Sequence, residues 1–298
     1  MDEEKIKHIV REEYGKVARK RSTRNTRNAP SMSCCGPNPS QAKGQSFDDI
    51  QGDTSCCGGS PKPSLESQAI GYSVNDIQAV PEGSNLGLGC GNPLGLASVR
   101  EGDVVLDLGS GGGFDCFLAT KKVGPTGKVI GVDMTPEMIE KARHNAQKGH
   151  YENVEFRLGE IEHLPAADNS VDLVISNCVV NLVPNKVQVF RDVHRVLKPG
   201  GRVMISDLVL TRELPESIKE SAAMYASCVA GATLKDQYLN AMKQAGLQDV
   251  VVQKEVSVPV EFLLGKQFTE GVPRELIEQY SNAVLDITVS ATKPNRRI

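Results

Sequence analysis

The sequence predicts an α/β fold, a mostly parallel twisted sheet with helices on both faces, followed by a C-terminal α+β region placed to cover a substrate. Three observations carry this. Short apolar runs alternate with helical patterns from about residue 104 to residue 210, the rhythm of βαβ units. A glycine turn, Gly109-Ser-Gly-Gly-Gly113, directly follows the first run. The second run, Val129-Ile-Gly-Val-Asp133, ends in a carboxylate.

The elements follow in order. Residues 3–19 read as an amphipathic helix, with Ile6, Ile9, Val10, Tyr14 and Val17 at helical spacing. Residues 22–66 are rich in Ser, Asn, Gly, Pro and Gln and read as a long arm without regular structure. A short helix or turn at 74–80 precedes a second glycine-rich segment, Asn85-Leu-Gly-Leu-Gly-Cys90-Gly-Asn-Pro93. Strands are expected at 104–108, 128–132, 154–158, 171–176 and 202–210. Their continuous apolar character suits a parallel sheet covered on both faces. A helix follows the glycine turn from about residue 114. Another opens at Thr135-Pro136-Glu137, with Thr as N-cap, Pro at the first helical position and an early acid. A third, over 185–197, stops at Lys198-Pro-Gly-Gly201. Helices at 216–230 and 235–245, a strand at 248–256 and a last strand at 284–292 make up the tail. Three regions result: an N-terminal helix and cysteine-bearing arm over 1–68, a Rossmann-like nucleoside-binding domain over 69–212, and a covering region over 213–298.

Bulk properties narrow the function. The chain has 298 residues and a net charge of −3, so neither nucleic acid nor an anionic membrane is an implied partner. No apolar run is long enough to span a bilayer. The start, Met1-Asp-Glu-Glu-Lys5, lacks the basic and apolar stretches of a secretory signal. A cytoplasmic location is therefore expected, where thiols stay reduced. Against that background the eight cysteines stand out. They suggest metal, metalloid or redox chemistry, the alternative being small buried hydrophobes. Cys34-Cys35 and Cys56-Cys57 lie in the arm, and adjacent cysteines lack the spacing of a structural zinc site.

The glycine turn lets backbone approach a ligand closely. In a dinucleotide site a pyrophosphate would sit at the following helix N-terminus, yet Asp107 at the strand end opposes an anion. It favours a ligand bearing positive charge, such as the α-ammonium of a methionine moiety. Asp133 is positioned to accept from a ribose diol. Glu160 and Ile161, after the third strand, are positioned to meet an adenine, and Asn177 ends the fourth strand at the same edge.

This ordered set resembles the class I S-adenosylmethionine-dependent methyltransferases over about residues 70–210. The resemblance implies S-adenosylmethionine as cofactor. It assigns Gly109, Gly111 and Gly113 to the amino-acid moiety, Asp133 with Met134 to the ribose, and Glu160 with Ile161 to adenine. A narrower resemblance follows from Tyr72, Gly87-Leu-Gly-Cys-Gly-Asn-Pro93, Ser176-Asn-Cys-Val-Val-Asn-Leu182 and Tyr225-Ala-Ser-Cys-Val-Ala-Gly-Ala232. These look like the arsenite methyltransferases. They imply that Cys90, Cys178 and Cys228 bind trivalent arsenic, that Tyr72 contacts the cofactor near its sulfonium or ribose, and that a further N-terminal cysteine joins a disulfide relay. Cys57 is the candidate taken here, with the other arm cysteines open. The relay implies a thiol reductant, thioredoxin or glutathione, as co-substrate. Because thiolates are the binding form, the site is expected to lower the thiol pKa values. The competing readings are a carbon or oxygen methyltransferase of a small metabolite, which needs a positioned base, and a non-enzymatic metalloid-binding thiol protein. The five histidines, His8, His144, His150, His163 and His194, all lie outside the motifs.

Overall fold

The computed structural model describes residues 3–22, 63–215, 225, 228–258, 280 and 283–295. Cys34, Cys35, Cys56 and Cys57, the arm around them and most of the expected 216–230 helix lie outside these residues.

The sequence begins with α1 (Glu3–Ser22), α2 (Pro63–Ala69), α3 (Val74–Gln78) and α4 (Pro93–Leu96). Alternation then follows: β1 (Val104–Leu108), α5 (Phe114–Val123), β2 (Lys128–Asp133), α6 (Pro136–Lys148), β3 (Val154–Leu158) and β4 (Val171–Asn177). After a 3-10 turn at Val180–Leu182 come α7 (Lys186–Val196), β5 (Leu197–Leu210), α8 (Lys235–Gln244), β6 (Gln248–Ser257) and β7 (Val284–Thr292). The strands form one sheet in the order β3-β2-β1-β4-β5-β7-β6. β3 to β5 run parallel, and β7 enters antiparallel between β5 and the edge strand β6. The tail thus completes the sheet edge, as its apolar strand pattern anticipates.

Val105, Leu106, Val174, Ile175, Ile205 and Val209 are wholly buried along the central strands. Each such side chain contributes about 1.5–3 kcal/mol. The order of strand addition reverses between β1 and β4, because β2 and β3 build outward on one side and β5 on the other. A crevice opens at such a switch point, beyond the carboxyl ends of the strands. The glycine turn after β1 and Cys178 after β4 stand on its two sides.

Two local expectations are revised. Thr135 is extended at the N-cap of α6 but makes no side-chain cap bond; its amide instead donates to Asp133 Oδ1 at 2.8 Å. The Lys198-Pro-Gly-Gly201 stop does not end before the fifth strand but lies inside it. β5 pairs with β4 at Leu197, then again only from Arg202 opposite Leu173. The intervening residues bulge out, and Gly200, at φ +76°, supplies the backbone that the bulge requires.

Candidate active site

The crevice is lined by the glycine turn, Asp107, Asp115, Asp133, Met134, Ile161, Glu162, Asn177 and Cys178, and on the outer side by Val10 and Tyr14 of α1. Gly109 has φ +69°, and a Cβ there would meet Val179 Cγ2 at 2.5 Å. Glycine is required at this position for both reasons. At Gly111, by contrast, an added Cβ would meet nothing within 4 Å, since it faces the open crevice.

One end of the crevice is acidic. Asp107 and Asp115 are both buried. Burial, with repulsion from Asp115, pushes the Asp107 carboxyl well above its ordinary range, and burial raises Asp115 to about 6. Tyr72 donates its hydroxyl to Asp115 Oδ1 at 2.6 Å and packs edge-on against Phe114. Asn177 ties this corner together. Its amide group donates to Tyr72 Oη, Gly91 O and Asp115 Oδ2, and its Oδ1 accepts from the Cys90 amide at 3.0 Å. Two neighbouring buried carboxyls without a cation are poised for an ammonium group, which would draw both back towards the charged form.

Asp133 caps the next wall. Its Oδ2 accepts from the Gly111 amide at 3.0 Å and its Oδ1 from Thr135. Burial pushes its pKa up and the two amides oppose that rise. Beyond β3, Ile161 and Glu162 line the crevice, whereas Glu160 turns to α1. Its carboxylate accepts from Lys7 at 2.8 Å and Arg11 at 2.6 Å, and Lys7 also lies 3.0 Å from Glu162. Burial alone would lower the Lys7 pKa, but Glu160, Glu3 and Glu162 outweigh it and raise it. Arg19 pairs with Glu137 further along the same helix.

The sequence shows α1 as amphipathic but carries no sign that it roofs the crevice. Tyr14 is the clearest case. It is separated from Cys228 by 214 residues, yet its hydroxyl lies 3.9 Å from Cys228 Sγ. We expect Lys7→Met to destabilise the chain by about 1–3 kcal/mol, because Glu162 would stay buried without its cation. That corresponds to a fall of several degrees in melting temperature, readable by calorimetry, and an unaltered melting point would refute the latch.

The thiols converge. Cys178 follows β4 at φ +61° and Cys228 lies at φ +64°, conformations that cost energy for side chains other than glycine and cluster at functional sites. Cys228 Sγ lies 3.1 Å from the Cys178 carbonyl oxygen. Cys90 Sγ, Cys178 Sγ and a carboxylate oxygen of Asp207 lie within 4.8 Å of one another. Of the three thiols, Cys178 alone lines the crevice among the described residues. Cys116 sits elsewhere, buried in α5 with its Sγ 3.2 Å from Asp107 Oδ2.

The expectation of lowered thiol pKa values does not hold for the chain without substrate. Burial raises Cys90 to about 12. For Cys178 the neighbouring Cys228 thiol lowers the value, but contact with Cys90, burial and the charge of Asp207 outweigh it and hold it well above the usual range. Cys228 is raised by its bond to Cys178 and by burial. A raised thiol pKa leaves the neutral form dominant at neutral pH, and thiolate grows only as pH climbs. Iodoacetamide labelling of Cys90 and Cys178, followed by mass spectrometry, is therefore expected to rise steadily up to about pH 10, where an ordinary thiol of pKa about 8.5 has levelled off. A plateau near pH 8 would contradict the burial argument.

Comparison with known proteins adds to this geometry. Residues 100–246 match the methyltransferase-domain family Methyltransf_31. A phosphoethanolamine N-methyltransferase of Haemonchus contortus, solved with S-adenosyl-L-methionine, shares the fold at 20% identity and a TM-score of 0.54, over 70% of this chain and 54% of that one. The fold is that of the class I S-adenosylmethionine-dependent methyltransferases. An arsenite methyltransferase of Halobacterium salinarum is 48% identical over 84% of this chain and 59% of its own length. The crystal structure of CrArsM, an arsenic(III) S-adenosylmethionine methyltransferase of Chlamydomonas reinhardtii, matches at 32% identity and a TM-score of 0.60, over 80% of this chain and 76% of that one. The chain belongs to the arsenite methyltransferase family. It spans somewhat under three-fifths of the length of the curated relatives it matches first, at 59% and 56%.

Proposed function

We propose that the chain transfers the methyl group of S-adenosylmethionine to trivalent arsenic held by Cys90, Cys178 and Cys228. One observation carries the reading: at the end of β4, Cys90 Sγ lies within 4.8 Å of Cys178 Sγ, Cys228 Sγ lies 3.1 Å from the Cys178 carbonyl oxygen, and Cys178 faces the crevice that the glycine turn and Asp133 form.

The residues fit the cofactor. Asp107 and Asp115, with Tyr72 and Asn177, suit the amino-acid end. Ser110 Oγ, buried without a partner, lies in the same wall beside Gly109, Gly111 and Gly113. Asp133 and Met134 suit the ribose, and Ile161 with Glu162 the adenine. Glu160 instead holds α1 over that end. When bound, S-adenosylmethionine supplies an activated methyl on a sulfonium.

The chain's own task is to hold the acceptor. Neutral arsenite exchanges its three hydroxyls for three thiols, and the thiol protons leave with the hydroxyls as three waters. Protonated, desolvated thiols therefore suit this exchange, because no net charge is buried. Arsenic so held keeps a lone pair, and no proton must leave for that pair to take the methyl. None of the five histidines lines the crevice, which agrees with chemistry that needs no base. Rate then rests on alignment of donor and acceptor. The methylated arsenic is formally pentavalent. Two enzyme thiols can return the two electrons by forming a disulfide, and a thiol reductant, thioredoxin or glutathione, reopens it by exchange. Cys57 is proposed as the arm's contribution to that relay, and the cytoplasm as a compartment that keeps it reduced.

The test is product speciation from purified protein, arsenite, S-adenosylmethionine and a thiol reductant. Methylated arsenic is expected to accumulate with turnover, and its absence under conditions where the cofactor binds would refute the proposal.

A further inference from the structure

We propose that the thiol cluster is also a site for a thiophilic divalent cation, with Zn2+ as the fitting ion, and that Asp207 is the ligand that distinguishes this occupant from arsenic. Trivalent arsenic takes three donors and keeps a lone pair, so three thiols satisfy it and Asp207 has no bond to make. Yet a carboxylate oxygen of Asp207 shares a sphere of 4.8 Å with Cys90 Sγ and Cys178 Sγ, a set that does not include Cys228. Two sulfurs and one carboxylate oxygen supply three of the four donors that Zn2+ takes in a tetrahedron, with Zn–S bonds of about 2.3 Å, and water takes the fourth position, as where Zn2+ keeps three protein ligands.

The carboxylate is held rather than free to turn away. Asp207 is fully buried. Its Oδ1 accepts from Asn181 Nδ2 at 2.8 Å and from the Leu208 amide at 2.9 Å, and its Oδ2 from Tyr238 Oη at 3.1 Å. Such outer bonds orient a metal ligand and commonly affect affinity ten- to a hundred-fold. The charge balances as well: Zn2+ replaces two thiol protons, which pass to the buffer, and the net charge of the pocket does not change. An ion seated this way occupies the sulfurs that arsenic needs, so the two exclude each other. That exclusion rests on the proposed function, whereas the cation site does not.

The experiment uses the full chain carrying Cys34→Ser, Cys35→Ser, Cys56→Ser and Cys57→Ser, which removes the arm thiols as alternative ligands. Zn2+ alone is titrated by calorimetry without cofactor, and arsenite is then added as competitor. One Zn2+ per chain is expected, displaced by arsenite. Asp207→Asn should weaken Zn2+ at least about ten-fold and leave arsenite affinity unchanged, and Cys178→Ser should remove both. No Zn2+ binding, or binding insensitive to both substitutions, overturns the proposal. So does an equal loss of Zn2+ and arsenite affinity in Asp207→Asn. If Zn2+ binds in the expected pattern and the parent chain, with its arm cysteines intact, forms no methylated arsenic, the functional reading is overturned and the cation site is supported.

Discussion

Replacing Cys178 by Ser is expected to reduce arsenite methylation by at least about a hundred-fold while leaving S-adenosylmethionine affinity close to that of the parent chain. The expectation follows from where the thiol stands. It sits at the carboxyl end of β4, directly across the switch point from the glycine turn, and it is the thiol that faces the crevice. It also stands between the other two: its Sγ lies within 4.8 Å of Cys90 Sγ, and its carbonyl oxygen lies 3.1 Å from Cys228 Sγ. Serine keeps the shape and the backbone, including the amide bond from Cys178 to the Ser206 carbonyl oxygen at 2.8 Å. It replaces a soft sulfur with a hard oxygen, which loses trivalent arsenic to water. A two-thiol site with no sulfur at the crevice cannot present the arsenic lone pair to the methyl. Methylarsenic formation measures the loss, and calorimetry with S-adenosylmethionine separates it from damage to the cofactor wall. Parent-like turnover in Cys178→Ser would remove this residue from the acceptor site.

What the sequence made legible was contiguous. Val104 to Gly113 and Val129 to Asp133 each hold strand, turn and polar group within one local stretch, so pattern alone located them. Asn177 and Cys178 were legible for the same reason, as the two residues that end and follow a strand. The tail strands β6 and β7 followed from alternation, but their antiparallel insertion beside β5 depends on pairing across more than seventy residues. Tyr14, Lys7, Asp115 and Asp207 were not legible as site residues. Each acts through a partner far along the chain, and nothing in the local pattern of α1 or β5 distinguishes a residue facing the crevice from one packed in the core. The Glu160 assignment shows the limit sharply. The acidic segment after β3 was correctly sought at the crevice, but a slip of two residues decides which carboxylate faces inward, and α1 decides it by drawing Glu160 to Lys7 and Arg11.

Asp133→Ala should weaken S-adenosylmethionine binding by roughly ten- to a hundred-fold, the net loss of one hydrogen bond to a charged acceptor at about 1.5–3 kcal/mol. The residue acts twice. Towards the ligand, the proposed role is to offer a carboxylate to a ribose diol at the end of β2. Towards the protein it accepts from the amides of Gly111 and Thr135, and so fixes the glycine turn against the start of α6. Alanine removes both, so binding and stability fall together, and a stability loss alone would mimic the effect. Asp133→Asn separates the contributions. Its carbonyl oxygen can still accept one amide, but its NH2 group faces the other amide and cannot accept from a diol. Affinity is therefore expected to order as parent, then Asn, then Ala, with thermal stability falling less in Asn than affinity does. Calorimetry with S-adenosylmethionine, run beside thermal unfolding of each variant, reads both axes. Parent-like affinity in Asp133→Ala would mean that the ribose is held elsewhere and that this carboxylate serves only the turn.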